Sequence, residues 1–295
     1  MRFKNKKNMK SFNDEYHKNV INTWSTKAYE KYINSPWRWA DLPFSDSITD
    51  NKYLAKEYLN CPVTKKIKNK SILEIGSAMG SAYKFLKASK LVDSCKYTGI
   101  EVSRTGYEHC LKNYPDAKWI HQDFTKMQKL EKYDYIFERN GIHHMPEPLK
   151  VYKKLFKSTN TSFSTCFRSC LKGETISDLE LANFKTDNGV YFCSIINLFD
   201  LIELAIKEGF GNFKVTFGGK HERISNNPSN PFYLSPKVNQ EKIYLSRCKI
   251  KMIKVKYEKS PVITFVARPD NIIKNLKAVV IIYFNLRKIK KAYSK

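Results

Sequence analysis

From Ser71 onward, short apolar runs alternate with amphipathic stretches at a spacing that leaves the chain few architectures. Ser71–Ile75, Lys96–Val102, Lys118–His121, Tyr133–Phe137 and Thr161–Phe167 read as strands. Between them, Ala82, Tyr83, Phe85 and Leu86 mark one helical face. Tyr107, Cys110, Leu111 and Tyr114 fall at i, i+3, i+4 and i+7, one side of a second helix. Leu149, Tyr152 and Leu155 mark a third. Leu198, Leu201, Ile202 and Ala205 mark a fourth, closed by Gly209 as a C-cap. Phe213–Phe217 and Val262–Val266 complete the strands. Such alternation predicts βαβ units and a largely parallel sheet.

The flanks differ in character. Residues 1–70 begin as a basic arm and continue into an aromatic-rich segment with Trp24, Trp37, Trp39 and Phe44, expected to pack as a cap. Trp37 and Trp39 suit either the core of that cap or stacking on a sugar ring. Residues 71–269 form the main domain, with an insertion expected at about 220–260 that opens on Asn226, Asn227, Pro228, Asn230, Pro231 and Pro236. Within it, Ile243–Val255 is apolar enough for one or two extra strands. Residues 270–295 read as a basic amphipathic helix. Ile272, Leu276, Val279, Tyr283 and Leu286 share its apolar face, flanked by Lys274, Lys277, Arg287, Lys288, Lys290 and Lys291. This helix suits an anionic membrane surface, its own domain or a dimer partner.

Charge and cysteine content narrow the class. The net charge of +25 fits a negatively charged partner such as nucleic acid, phosphorylated substrate or anionic lipid. Lysine scattered beside asparagine and isoleucine equally fits a compositional bias. Seven cysteines at irregular positions, with no apolar signal segment after Met1, predict reduced thiols in a cytoplasmic protein. Cys166 and Cys170 have no second pair at zinc-like spacing, so no metal is expected. The apolar run Ala278–Phe284 is far shorter than the roughly 20 residues a bilayer span requires.

The most informative stretch is Ile72-Leu73-Glu74-Ile75-Gly76-Ser77-Ala78-Met79-Gly80. A strand ends in a carboxylate, and a glycine-bounded turn then opens a helix. Ligands of doubly wound sheets sit where strands give way to helices, and a glycine there lets backbone approach a ligand closely. A nicotinamide fingerprint would need glycines where Ala78 and Ser81 stand, and no Gly-Lys-Ser/Thr follows to make a P-loop.

The pattern Glu-x-Gly-x-x-x-Gly resembles the first motif of the class I S-adenosylmethionine-dependent methyltransferases. Glu101 ends the second strand, where a carboxylate can accept both ribose hydroxyls, and Val102 would lie against the adenine. Asp123 follows the third strand, where the family places an acid on the adenine amino group, with Phe124 as an apolar wall. Tyr133 to Met145 looks like the family's fourth strand and the loop beyond it, with Pro146-Glu147-Pro148 starting the next helix. The resemblance covers about Ile72 to Asp200, and more loosely runs to Pro269. It implies an α/β, Rossmann-like seven-stranded mixed sheet of order 3-2-1-4-5-7-6, strand 7 antiparallel, with helices on both faces. Phe213–Phe217 would be strand 6 and Val262–Val266 strand 7. S-adenosyl-L-methionine would be the cofactor, held by Glu74, Gly76, Ser77, Ala78, Gly80, Glu101, Val102, Asp123, Phe124 and Asn140.

The acceptor is less legible. His143 and His144 sit in the loop after strand four, where one could act as base toward a hydroxyl, or line the cofactor. Arg139 or Asn140 could touch the methionine part or cap the loop. His221-Glu222-Arg223 is a polar cluster that suits the substrate side or a solvated turn. The Asn/Asp-Pro-Pro-aromatic motif of nucleic-acid and glutamine N-methyltransferases is absent. The chain looks loosely like small methyltransferases of bacterial surface-glycan pathways. The expected acceptor is therefore a sugar or other small hydroxylated molecule in polysaccharide biosynthesis. RNA methylation, or a methyltransferase-like binding protein without turnover, are the alternatives.

Overall fold

The computed structural model describes residues 67–293, except 89, 91, 93, 140, 187–188, 219–231, 239–244, 256–260 and 267–275. The aromatic-rich segment, Asn140 and His221-Glu222-Arg223 lie outside the described residues.

Strands β1 (Ser71–Ile75), β2 (Lys96–Glu101), β3 (Lys118–His121), β4 (Tyr133–Glu138) and β5 (Thr159–Cys170) form the parallel half of the main sheet. Helices α1 (Ser81–Ala88), α2 (Arg104–Asn113), α3 (Pro148–Ser158) and α4 (Leu198–Lys207) connect and cover the strands. Their ends follow local chemistry. The Ser103 hydroxyl caps α2 by accepting from the Gly106 amide, Pro148 occupies the first turn of α3, and Asn197 caps α4 through the Phe199 amide at 2.7 Å. Past α4, Gly209 adopts φ +90° before the next strand.

The two faces of β1 bury different layers, as a period of two requires. Ile72 packs with Ala82, Tyr83, Phe85, Leu86 and Cys110 of α1 and α2. Leu73 and Ile75 pack with Val151, Tyr152, Leu155, Phe156 and the Leu198–Ala205 face of α3 and α4. Helices therefore cover both faces, as expected.

The far half of the sheet departs from expectation. Its path is β3-β2-β1-β4-β5-β11-β9-β12, where β9 is Phe210–Gly218, β11 Leu245–Lys254 and β12 Val262–Val266. Strand 7 is therefore β11, antiparallel to both β5 and β9, and not Val262–Val266. Counted that way, the order 3-2-1-4-5-7-6 holds. β12 adds a further strand on the edge, parallel to β9. Length and pattern decide the assignment. The slot beside twelve-residue β5 takes nine residues of β11 in register, and Cys248, Ile250 and Met252 alternate inward. Five-residue β12 leaves Val262 58% exposed, which suits an edge. Leu245–Lys254, expected as one or two extra strands, thus belongs to the central sheet.

A second sheet was not anticipated. β6 (Ala182–Thr186), β7 (Gly189–Phe192) and β10 (Phe232–Leu234) form a three-stranded antiparallel sheet of order β10-β6-β7. It sits where the chain leaves β5; the short β8 (Ile196–Asn197) then pairs with the end of β5 and leads into α4. The last helix, α5 (Leu276–Tyr293), docks on the domain through Ile282 and Ile289, with Leu286 beside them. Tyr283, expected on that apolar face, is 61% exposed. Among the described residues, no helix is long and apolar enough to cross a membrane.

Candidate active site

After Ile75 the chain leaves the sheet through a tight turn in which Gly76, Ala78 and Gly80 have φ of +69°, +52° and +71°. The turn is strapped to β2. The Ile100 carbonyl accepts from the Gly76 amide at 2.9 Å, the Ser77 amide at 3.2 Å and the Ser77 hydroxyl at 3.3 Å. Glu101 fastens it a second time. One carboxylate oxygen accepts from the Ala78 amide at 2.6 Å and the other from the Ser103 amide at 2.8 Å. Burial raises the Glu101 pKa, and these amides pull it back. Val102 is half-buried, and its carbonyl meets His121 Nε2 at 3.1 Å.

The two glycines serve different ends. A Cβ on exposed Gly76 would meet nothing within 4 Å, so its backbone faces open space at the sheet edge. A Cβ on Gly80 would come within 2.9 Å of the Tyr114 ring and 3.1 Å of Cys110 Sγ. Gly80 is therefore required by the packing of α2, whereas Gly76 leaves its backbone open to close approach at the sheet edge.

Glu74, two residues before Gly76, is only 1% exposed. The Tyr97 hydroxyl donates to it at 2.5 Å, and Arg139 lies 3.5 Å from its other oxygen. Burial pushes its pKa up to about 7, against the pull of Arg139 and of the Tyr97 hydrogen bond. Arg139, expected either to touch the methionine part or to cap the loop, pairs here with Glu74. Asp123 accepts from the Thr125 amide at 2.9 Å and its hydroxyl at 2.7 Å, capping the turn Phe124–Lys126. Phe124 belongs to the main core, with the Lys154 ammonium 4.5 Å from its ring centre.

Beyond β4, Glu138 organises the loop that carries the histidines. One oxygen accepts from the Gly141 amide at 2.9 Å and the Ile142 amide at 3.3 Å. The other accepts from the Tyr152 hydroxyl at 3.1 Å and from Thr165 Oγ1. Burial raises its pKa. No role was assigned to Glu138 from sequence, although it ends its strand region as Glu74 and Glu101 do theirs.

His143 and His144 lie on the single turn Ile142–His144, with ring centres 4.1 Å apart. β7 and the residues just after it hold both. The His143 carbonyl accepts from the Ser194 amide at 2.8 Å, and His144 Nδ1 is 2.7 Å from the Phe192 carbonyl, which can only accept. That contact places the proton on Nδ1 and makes Nε2 the acceptor nitrogen of His144. Phe184 packs 5.8 Å from the ring. Desolvation lowers the His144 pKa to about 4, with the Arg168 guanidinium adding to the shift, so the imidazole is neutral at pH 7. Arg168 is itself buried and donates to Cys193 Sγ. Its only trace in the sequence is a lone charge at the end of an apolar strand. Among the described residues, no group of three or more His, Cys, Asp or Glu could hold a metal ion.

Residues 73–161 match the profile of a family described as a methyltransferase domain. No curated relative matches the chain by sequence. Similar solved structures include the O-methyltransferase of a trans-AT PKS multienzyme of Brevibacillus brevis, in complex with S-adenosyl-L-homocysteine. It is 15% identical, with 72% of this chain and 78% of that one covered at a TM-score of 0.44. A putative S-adenosylmethionine-dependent methyltransferase of Listeria monocytogenes is 12% identical, covering 68% and 98% at 0.45. Magnesium protoporphyrin IX methyltransferase of Synechocystis PCC 6803, with bound SAM, is 10% identical, covering 81% and 97% at 0.47. From β1 into the start of β5, then, the chain carries a segment that matches a methyltransferase domain.

Proposed function

We propose that this enzyme methylates a hydroxyl oxygen on a small acceptor, a sugar or similar molecule used in glycan assembly, with His144 receiving the hydroxyl proton. The observation that carries this reading is the His144 tautomer. Its Nδ1–H is committed to the Phe192 carbonyl, so Nε2 is the nitrogen left to accept a proton. Burial holds its pKa down to about 4, so it is a weak base that takes the hydroxyl proton only as methyl transfer makes that proton strongly acidic. In this reading Gly76, Ser77, Ala78 and Gly80 shape the cofactor cradle, and Glu101 accepts from the ribose with the lone pairs its two amide contacts leave over. Asp123 stands at the adenine end. When bound, the sulfonium supplies an electrophilic methyl group. The chain's own residues then have to position the acceptor oxygen in line and take up its proton. Glu138 keeps the histidine turn in place through its four contacts.

The test is incubation with labelled S-adenosylmethionine and fractionated cell extract. Label should enter a small or glycan fraction that resists ribonuclease, and His144→Gln should lower kcat by about a hundredfold or more with cofactor affinity retained. Turnover undiminished in His144→Gln would remove the histidine from the chemistry. The net charge of +25 favours a second reading, RNA as acceptor. In that case label would be ribonuclease-sensitive and binding would weaken steeply with salt.

A further inference from the structure

We propose that the outward face of α5 docks the protein on an anionic membrane surface. The helix has already used its apolar stripe, because Ile282 and Ile289 are 9% and 2% exposed and share the main core with Leu286 beside them. What remains outside is a different combination. Tyr283 and Phe284 are 61% and 57% exposed, with ring centres 5.8 Å apart, and Arg287, Lys288 and Lys291 are exposed one and two turns further on. At about 100° per residue these five positions span roughly 140° of arc, on the side of the helix away from Ile282 and Ile289.

Two large aromatic side chains in water beside three cations have a clear physical complement. Aromatic rings are favoured at the level of lipid headgroups, where one side is apolar and the other wet. Basic side chains close to an anionic leaflet are attracted to it within a Debye length. No helix among the described residues can cross a bilayer, so contact through α5 would be peripheral, with the helix lying in the plane of the surface. The whole chain, at +25, would be drawn toward the same surface. The two rings meet edge to face, with 76° between their planes, so they do not make a parallel platform for successive bases, and the face matches a lipid headgroup layer better than a nucleic acid.

This inference is independent of the acceptor and can be tested without turnover. The full chain is sedimented with vesicles of phosphatidylcholine alone, and with vesicles holding about one part in three phosphatidylglycerol. The wild type should partition onto the anionic vesicles only. The double variant Tyr283→Ser/Phe284→Ser and the triple variant Arg287→Gln/Lys288→Gln/Lys291→Gln should each lose about tenfold or more in partitioning. A charge-matched control, Lys112→Gln/Lys118→Gln/Lys129→Gln, alters exposed lysines elsewhere and should retain binding. Unchanged melting temperatures would show that every variant folds. The proposal is overturned if the wild type ignores anionic vesicles, or if the α5 variants lose no more than the control. It is also overturned if the α5 face instead binds a short RNA and leaves vesicles alone.

Discussion

Gly76 and Gly80 have the same backbone strain and opposite surroundings, which makes them a matched pair of probes. With φ of +69° and +71°, alanine at either position costs about 1–2 kcal/mol from the left-handed conformation alone. At Gly80 the new Cβ also meets two Tyr114 ring carbons at 2.9 Å and Cys110 Sγ at 3.1 Å. Tyr114 and α2 must shift, an overpacking cost of about 1–3 kcal/mol more. Gly80→Ala should therefore lose about 2–5 kcal/mol of stability, and Gly76→Ala only about 1–2. Ligand binding should rank them the other way. The methyl group of Gly76→Ala projects into open space where the proposed function puts the adenosyl group, so affinity should fall at least tenfold, about 1.4 kcal/mol. Gly80→Ala, if folded, should bind within a few-fold of wild type. Denaturant unfolding gives the first ranking, and calorimetric titration with S-adenosylhomocysteine gives the second. Should Gly76→Ala bind normally, the cradle lies elsewhere. Equal destabilisation by the two would mean that the Tyr114 contact does not constrain Gly80.

Two further perturbations probe the carboxylates. Glu101→Ala should weaken cofactor binding at least tenfold and, by orphaning the Ala78 and Ser103 amides, destabilise the fold by about 2–4 kcal/mol; unchanged calorimetric affinity would move the ribose site. Glu74 holds its proton to about 7 in the folded chain and loses it near 4.5 when unfolded, so its contribution is full below 4.5 and falls as pH rises toward 7. Against Glu74→Gln, which keeps the neutral shape, wild type should lose about 3 kcal/mol of relative stability between those pH values. Parallel curves of stability against pH for the two proteins would refute the buried neutral carboxyl.

The parallel half of the fold was legible because its signals are local. The short, continuously buried run of Ser71–Ile75 and the helical spacing of Tyr107, Cys110 and Tyr114 are written within single elements. The strand-end acids Glu74 and Glu101 marked the sheet edge in the same way. Their division of labour did not show: Glu101 straps the turn, whereas Glu74 pairs with Arg139 and Tyr97. Tyr97 comes from β2 and Arg139 from the residue after β4, so no short window of sequence contains both with Glu74.

By itself, then, the sequence determined a doubly wound sheet with a glycine-bounded turn after β1 and a paired histidine after β4. Tertiary structure alone decided that β11 and not β12 fills the slot beside β5. It decided that the small sheet sets the His144 tautomer, and that Tyr283 faces outward while Ile282 and Ile289 face in. The reason is common to all three. Periodicity fixes which residues share a face, but only contacts between segments far apart in the chain fix what that face meets.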